Sequence, residues 1–99
     1  MIRKFSMDNP IERKDGIAAA AAAARRGDLV VLPTDTVYGL GTDSFSKNGP
    51  TKLLAAKGRD RDMPIPVLVG HTKALDGLAQ RVDPITKALA EAFWPGALT

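Results

Sequence analysis

The sequence predicts an α/β fold, in which helices pack on a small sheet. Residues that start and stop helices bracket four segments, and two short apolar runs lie between them. The predicted order is helix, strand, helix, strand, helix, helix, which is an α/β pattern. The length of 99 residues is enough for one small domain.

The first helix begins at Asn9 and Pro10, and Asp15–Gly16 offers a second, later start. Asn9 can cap the helix, Pro10 suits the first helical position, and Glu12 can reach back to the cap. A run of alanines fills the helix, and Gly27 ends it directly after two arginines. Those cations lie at the negative end of the helix dipole, which favours the same end point.

The first strand is the apolar run Asp28–Leu32, and a polar loop follows it. An apolar run without alternation is typical of a central strand covered on both faces, as in parallel sheets. In the following segment, Pro33–Gly41, the cluster Thr34, Asp35 and Thr36 comes directly after the strand. Ligands of α/β sheets bind at such positions. The alternative is a polar turn capped by its own side chains.

The second helix begins at Asn48–Pro50 and ends near Lys57. The charged segment Lys57–Met63 follows it. In an extended chain alternate residues share a face, so Lys57, Arg59 and Arg61 would line one side and bind phosphate or carboxylate. The alternative is a solvated loop whose arginines pair with the neighbouring aspartates.

The remainder of the chain predicts one more strand and two more helices. Pro64–Val69 has strand character, and its prolines limit it to a late start or a sheet edge. The helices are Thr72–Ala79 and Asp83–Phe93, each with its first residue as the cap, and Trp94–Gly96 breaks the second. His71 precedes a helix, where a histidine is more often a partner for a local carbonyl group than a catalyst.

The composition excludes several classes of site. The chain has no cysteine, which removes disulfides, thiolate zinc sites and cysteine nucleophiles, and a single histidine disfavours a histidine-built metal site. It has neither an apolar stretch of about 20 residues for a membrane span nor the apolar run of a secretory signal. We therefore expect a cytoplasmic protein. The net charge of +3 is unevenly distributed and suits a small polyanion as well as nucleic acid.

Three strings of residues carry a family resemblance: Leu32–Gly41, Lys57–Arg59 and Phe93–Thr99. They resemble, in the same order, the signature, the K-x-R element and the F-W-P-G-x-L-T block of the YrdC-like threonylcarbamoyl-AMP synthase family. The resemblance implies a YrdC-like α/β fold, with a twisted mixed sheet flanked by helices. It also implies that residues 1–99 form the amino-terminal part of a single domain. The carboxy-terminal half, with the family's S-x-N element, would lie outside this sequence.

The resemblance implies a reaction as well. The family joins L-threonine, bicarbonate or CO₂, and ATP to give threonylcarbamoyl-AMP and pyrophosphate, and Mg²⁺ accompanies the ATP. A threonylcarbamoyl transferase complex then modifies an adenosine beside the anticodon of tRNA. The alternatives are a YrdC-like module that binds RNA without catalysis, and an inactive fragment.

Site residues carried over from the family motifs would bind the substrates and the nucleotide: Thr34, Thr36, Tyr38, Lys57, Arg59 and Thr99. Of these, Lys57 and Arg59 would be catalytic, because they would neutralise the triphosphate and the charge that develops in the reaction. Two positions depart from the family pattern. Asp60 stands where many members have proline, and Leu68 stands where the family often has histidine. His71 is therefore not assigned that role.

Overall fold

In a computed structural model, which describes residues 2–60 and 62–99, the chain forms helices and a small sheet. The elements in chain order are α1 (Pro10–Arg25), β1 (Val30–Leu32), β2 (Gly39–Gly41), α2 (Gly49–Lys57), α3 (Ala74–Leu78) and α4 (Pro84–Phe93). The chain divides into two compact units. The first extends to Pro64 and contains α1, the sheet and α2; the second, Ile65–Thr99, contains α3 and α4.

Helix α1 starts where the sequence predicts. The Asn9 side chain accepts hydrogen bonds from the N–H groups of Ile11 at 3.0 Å and Glu12 at 3.1 Å, and Pro10 occupies the first turn. One detail of the prediction is wrong. Glu12 Oε1 accepts from the N–H of Ser6 at 2.8 Å, so it ties down the segment before the helix rather than the cap itself.

Helix α1 ends at a left-handed glycine, as predicted. Gly27 has φ 84°, a conformation that costs a residue with a Cβ about 1–2 kcal/mol. The Gly27 N–H donates to the Ala24 carbonyl at 2.9 Å, and the Asp28 N–H donates to the Ala23 carbonyl at 3.0 Å. These two bonds form a Schellman motif, which satisfies carbonyl groups that the helix end leaves free.

The two strands pair antiparallel, so the parallel pairing that the apolar run suggested as one possibility does not occur between them. The register pairs Val30 with Gly41 and Leu32 with Gly39. Parallel strands need a crossover of about a dozen residues or more, and the segment 33–38 is too short for one. Val31, in the middle of β1, is 67% exposed, so β1 is not covered on both faces.

An acidic side chain links the two helices of the first unit. Asp28 accepts a hydrogen bond from Arg26, at the end of α1, at 3.2 Å, and it forms an ion pair with Lys52 of α2 at 3.6 Å. All three side chains are about half exposed, so each pair contributes about 0–1 kcal/mol. Leu53 of α2 is 5% exposed and is the buried hydrophobic side chain of this unit's described residues.

The second unit differs from the prediction at its start. Pro64–Val69 is not a strand, because the described residues offer it no partner and its prolines lack the N–H that a ladder needs. Helix α3 begins at Ala74 rather than Thr72, and no side chain caps it. Instead, His71 Nδ1 accepts from the N–H of Lys73 at 3.1 Å, so its partner is a local N–H group rather than the expected carbonyl group.

Helix α4 follows the prediction at both ends. Asp83 caps it by accepting from the N–H of Thr86 at 2.8 Å, and this hydrogen bond lowers the pKa of the Asp83 carboxyl below its ordinary value. The helix ends at Trp94, whose indole N–H donates to the Leu98 carbonyl at 2.9 Å and closes the turn after the helix. Ala90, 7% exposed, is the buried hydrophobic residue of this unit.

Candidate functional site

The loop between β1 and β2 is held by one threonine hydroxyl. Thr34 Oγ1 accepts from the N–H of Thr36 at 3.3 Å and from the N–H of Val37 at 3.2 Å. It also hydrogen-bonds to the carbonyl oxygen of Val37. The loop is therefore a turn closed by its own side chain, which is the structural alternative that the sequence left open.

The same loop encloses a small open concavity. Its volume is about 230 Å³, and it is lined by Pro33, Thr34, Thr36, Val37 and Tyr38. The structure thus brings three of the predicted site residues together in one place. The concavity suits a small polar ligand, because hydroxyl groups, an aromatic ring and apolar surface surround it. Tyr38 is 79% exposed, so its ring and hydroxyl are accessible.

Val37 is a candidate site residue that sequence reasoning missed. Its side chain lines the concavity, and its backbone groups make two hydrogen bonds with Thr34. A valine carries no group that suggests ligand binding, so only its place inside the Thr34–Tyr38 segment could have indicated the role.

The predicted basic pair lies at the end of α2, outside the residues that line the concavity. Lys57 is the last residue of α2, and Gly58 follows with φ 64°. The Gly58 N–H donates to the Ala55 carbonyl at 3.1 Å, and the Arg59 N–H donates to the Leu54 carbonyl at 2.9 Å. These bonds form a second Schellman motif, which reverses the chain between the two cations.

This turn overturns one expectation about the basic segment. An extended chain that places Lys57, Arg59 and Arg61 on one face is wrong, because Lys57 is helical and Gly58 is left-handed. Arg61 lies outside the described residues. Among residues 2–60 and 62–99, neither Lys57 nor Arg59 forms an ion pair, so the alternative of Arg59 paired with an aspartate is not seen there. Both side chains are exposed and accessible to an anion.

Thr99, the remaining predicted site residue, lies in the second unit. It borders an apolar cleft of about 250 Å³ beside α4, lined by Leu75, Thr86, Leu89, Ala90, Trp94, Leu98 and Thr99. The half-buried Trp94 forms part of the cleft wall. A role for Thr99 at the substrate stays a prediction.

Within the described ranges, His, Asp and Glu side chains form no group of three or more that could hold a metal ion. None of the described helices is both long enough and apolar enough to span a bilayer.

The chain is similar to proteins of known family. Residues 22–99 match the family Sua5_yciO_yrdC, whose description is "Telomere recombination". A putative threonylcarbamoyl-AMP synthase of Mycobacterium tuberculosis (strain H37Rv) is 46% identical over 99 residues, which is 100% of this chain and 46% of that protein. A threonylcarbamoyl-AMP synthase of Bacillus subtilis (strain 168) is 41% identical over 83 residues, which is 84% of this chain and 24% of that protein.

A solved structure is similar as well. The crystal structure of Pyrococcus abyssi Sua5 complexed with L-threonine matches with a TM-score of 0.75 and 38% identity, over 85% of this chain and 24% of that one. This likeness confirms the predicted α/β fold class. The chain spans about half the length of the M. tuberculosis relative.

Proposed function

The chain belongs to the Sua5_yciO_yrdC family, and we propose that it carries part of the site of an L-threonylcarbamoyladenylate synthase. The reaction would form threonylcarbamoyl-AMP and pyrophosphate from L-threonine, bicarbonate or CO₂, and ATP. The observation that carries this proposal is the 46% identity, over all 99 residues, to a relative named putative threonylcarbamoyl-AMP synthase. The relatives' name also supports the proposal of a transferase that acts in tRNA modification.

The proposed chemistry depends on positioning and charge. The threonine amine first adds CO₂, delivered as such or from bicarbonate, and loses a proton to give a carbamate. A carbamate oxygen then attacks the α-phosphorus of ATP in line. The bond between that phosphorus and the β-phosphate bridge oxygen breaks, and pyrophosphate leaves with its electron pair. Such a step requires alignment and neutralisation of negative charge more than a strong base.

Lys57 and Arg59 supply the positive charge in this proposal. Lysine presents a compact cation, and arginine presents a planar fork that matches two phosphate oxygens. Both side chains are exposed, and neither is engaged by an acidic neighbour among the described residues. Gly58 ends α2 in a left-handed conformation between the two cations. The spacing of Lys57 and Arg59 therefore depends on the turn at the end of this helix.

The concavity of the β1–β2 loop is the proposed threonine site. Its volume of about 230 Å³ suits a small amino acid, and the similar P. abyssi structure was solved with L-threonine bound. Thr36 and Tyr38 contribute hydroxyl groups at its surface, and Val37 contributes apolar contact. A small, partly apolar site of this kind can hold the threonine methyl as well as its polar groups.

Mg²⁺ enters this scheme as part of the substrate. It would arrive with ATP, bound mainly by phosphate oxygens and water, as Mg²⁺ usually is at nucleotide sites. The product would pass to a threonylcarbamoyl transferase complex acting on tRNA, which is the proposed downstream partner. In this scheme the transferase complex, and not this chain, moves the threonylcarbamoyl group to the adenosine of tRNA. Formation of threonylcarbamoyl-AMP therefore does not require this chain to bind RNA.

Pyrophosphate release tests the proposal. The purified chain is incubated with ATP, Mg²⁺ and bicarbonate, with and without L-threonine, and we expect threonine-dependent release. Lys57→Ala or Arg59→Ala should lower that rate about 100-fold, the scale measured for removal of one group that stabilises a transition state. Lys47→Ala is the matched control, because Lys47 is an exposed lysine of the same unit.

Two outcomes contradict the proposal in different ways. Wild-type rates in the Lys57 and Arg59 variants would refute the roles given to those residues. A folded chain that releases no pyrophosphate would contradict catalysis by this chain. RNA binding that weakens steeply with salt, without any product, would then favour the RNA-binding alternative.

A further inference from the structure

The hydroxyl of Thr34 has no hydrogen-bonding capacity left for a ligand. A threonine hydroxyl has one donor hydrogen and two acceptor lone pairs. In this loop the two lone pairs accept from the N–H groups of Thr36 and Val37, at 3.3 and 3.2 Å. Its hydrogen is then available for the Val37 carbonyl oxygen, which lies within hydrogen-bond distance. All three sites are thus used inside the loop.

The methyl group of Thr34 lies on the side of Gly39 where a side chain would be. A Cβ placed on Gly39, the first residue of β2, would lie 3.4 Å from Thr34 Cγ2, which is an ordinary van der Waals distance. Gly39 itself pairs with Leu32 at the end of β1. The side chain that closes the loop therefore lies beside the first residue of β2.

The other hydroxyl groups of the concavity are differently placed. Thr36 Oγ1 has one long contact, 3.5 Å from Thr34 Oγ1, at the limit of a hydrogen bond. Within the described ranges the Tyr38 hydroxyl makes no hydrogen bond, and this residue is 79% exposed. These two groups keep the donor and acceptor capacity that a bound ligand requires.

We propose that Thr34 is a positioning residue: its hydroxyl holds residues 34–37 in shape and leaves contact with the ligand to Thr36 and Tyr38. The inference rests on the proposed function for the identity of the ligand, L-threonine. It rests on the loop geometry alone for the role of Thr34. It changes the role that the family resemblance implies for this residue, from substrate binding to organisation of the residues that bind.

Amide hydrogen exchange by NMR tests the positioning role without any ligand. Thr34→Val keeps the side-chain shape and removes the hydroxyl, so the Thr36 and Val37 amides should exchange about fivefold faster, the scale of one lost hydrogen bond. Thr34→Ser keeps the hydroxyl and should restore slow exchange. Thr36→Val is the matched control and should leave the Val37 amide unchanged. The amides of α1 and α2 report whether each variant is folded.

A binding titration with L-threonine as the probe distinguishes positioning from direct contact. The proposal predicts that Thr34→Val weakens binding together with the loss of amide protection, and that Thr34→Ser restores both. Unchanged Thr36 and Val37 exchange in folded Thr34→Val overturns the positioning role, whether or not binding is weakened. Should the wild-type chain bind no L-threonine, the proposed function loses its support, while the exchange result still decides the role of Thr34.

Discussion

The two left-handed glycines allow the cost of backbone strain to be separated from the cost of a steric clash. Gly27 and Gly58 have φ of 84° and 64°, and each ends a helix with the same pair of hydrogen bonds. An added Cβ at Gly58 would meet nothing within 4 Å, whereas one at Gly27 would lie 2.5 Å from Ser46 Oγ. Alanine at the two positions therefore imposes similar strain and very different contacts.

The contacts at each glycine set how much each alanine variant lowers the free energy of unfolding. A residue with a Cβ in the left-handed region costs about 1–2 kcal/mol, which is the expected loss for Gly58→Ala. Gly27→Ala also pushes away Ser46 Oγ, which accepts from the N–H of Gly49 at 3.1 Å. Losing that bond adds about 0.5–1.5 kcal/mol, so Gly27→Ala should cost about 1.5–3.5 kcal/mol.

Urea denaturation followed by circular dichroism measures both values. With a slope of about 2 kcal/mol per molar, the two midpoints should differ by about 0.5 M. Gly77→Ala is the control, because Gly77 lies inside α3 with open space around it. There the better helix former should stabilise the chain, by up to about 1 kcal/mol. Equal midpoints for the Gly27 and Gly58 variants would refute the assignment of the extra cost to Ser46.

The remaining predictions concern the two helix caps. Asn9→Ala removes the acceptor for two N–H groups of α1 and should lower the free energy of unfolding by about 1 kcal/mol. Asn9→Asp keeps an acceptor oxygen and should change the free energy of unfolding little. Equal losses in both variants would contradict the capping role. For α4, the hydrogen bond from Thr86 lowers the pKa of Asp83 below its ordinary value of 3.8. The carboxylate therefore stabilises the folded helix fully above that value, and the stabilisation is lost as the pH falls through the lower folded-state pKa. The Thr86 amide shift, followed by NMR from pH 7 to 2, should report this titration in the wild type and not in Asp83→Asn.

The sequence indicated the helix ends best, because caps depend on residues only a few positions apart. Asn9 and Asp83 cap the helices that they were predicted to cap, and Gly27 ends α1. The family resemblance carried by the motifs between Leu32 and Thr99 is likewise confirmed by the match to residues 22–99. Both kinds of information are carried by short strings, which need no knowledge of distant partners.

Strand partners could not be predicted in the same way. The apolar pattern of β1 is compatible with either direction of pairing, and the length of the 33–38 segment, rather than the composition of the strand, decided for an antiparallel partner. The strand character of Pro64–Val69 produced no strand, because a ladder requires a partner at hydrogen-bond distance. Strand propensity alone does not supply one.

The candidate site shows the same division. The sequence by itself determined which groups are present: threonine hydroxyls and a tyrosine in one loop, and two cations separated by a glycine. Only the tertiary structure decided how those groups are used. It turned the Thr34 hydroxyl inward to three backbone partners, left Tyr38 exposed and reversed the chain between Lys57 and Arg59. The physical reason is that the residue type sets a side chain's hydrogen-bonding capacity, whereas the folded backbone around it sets which partners use that capacity.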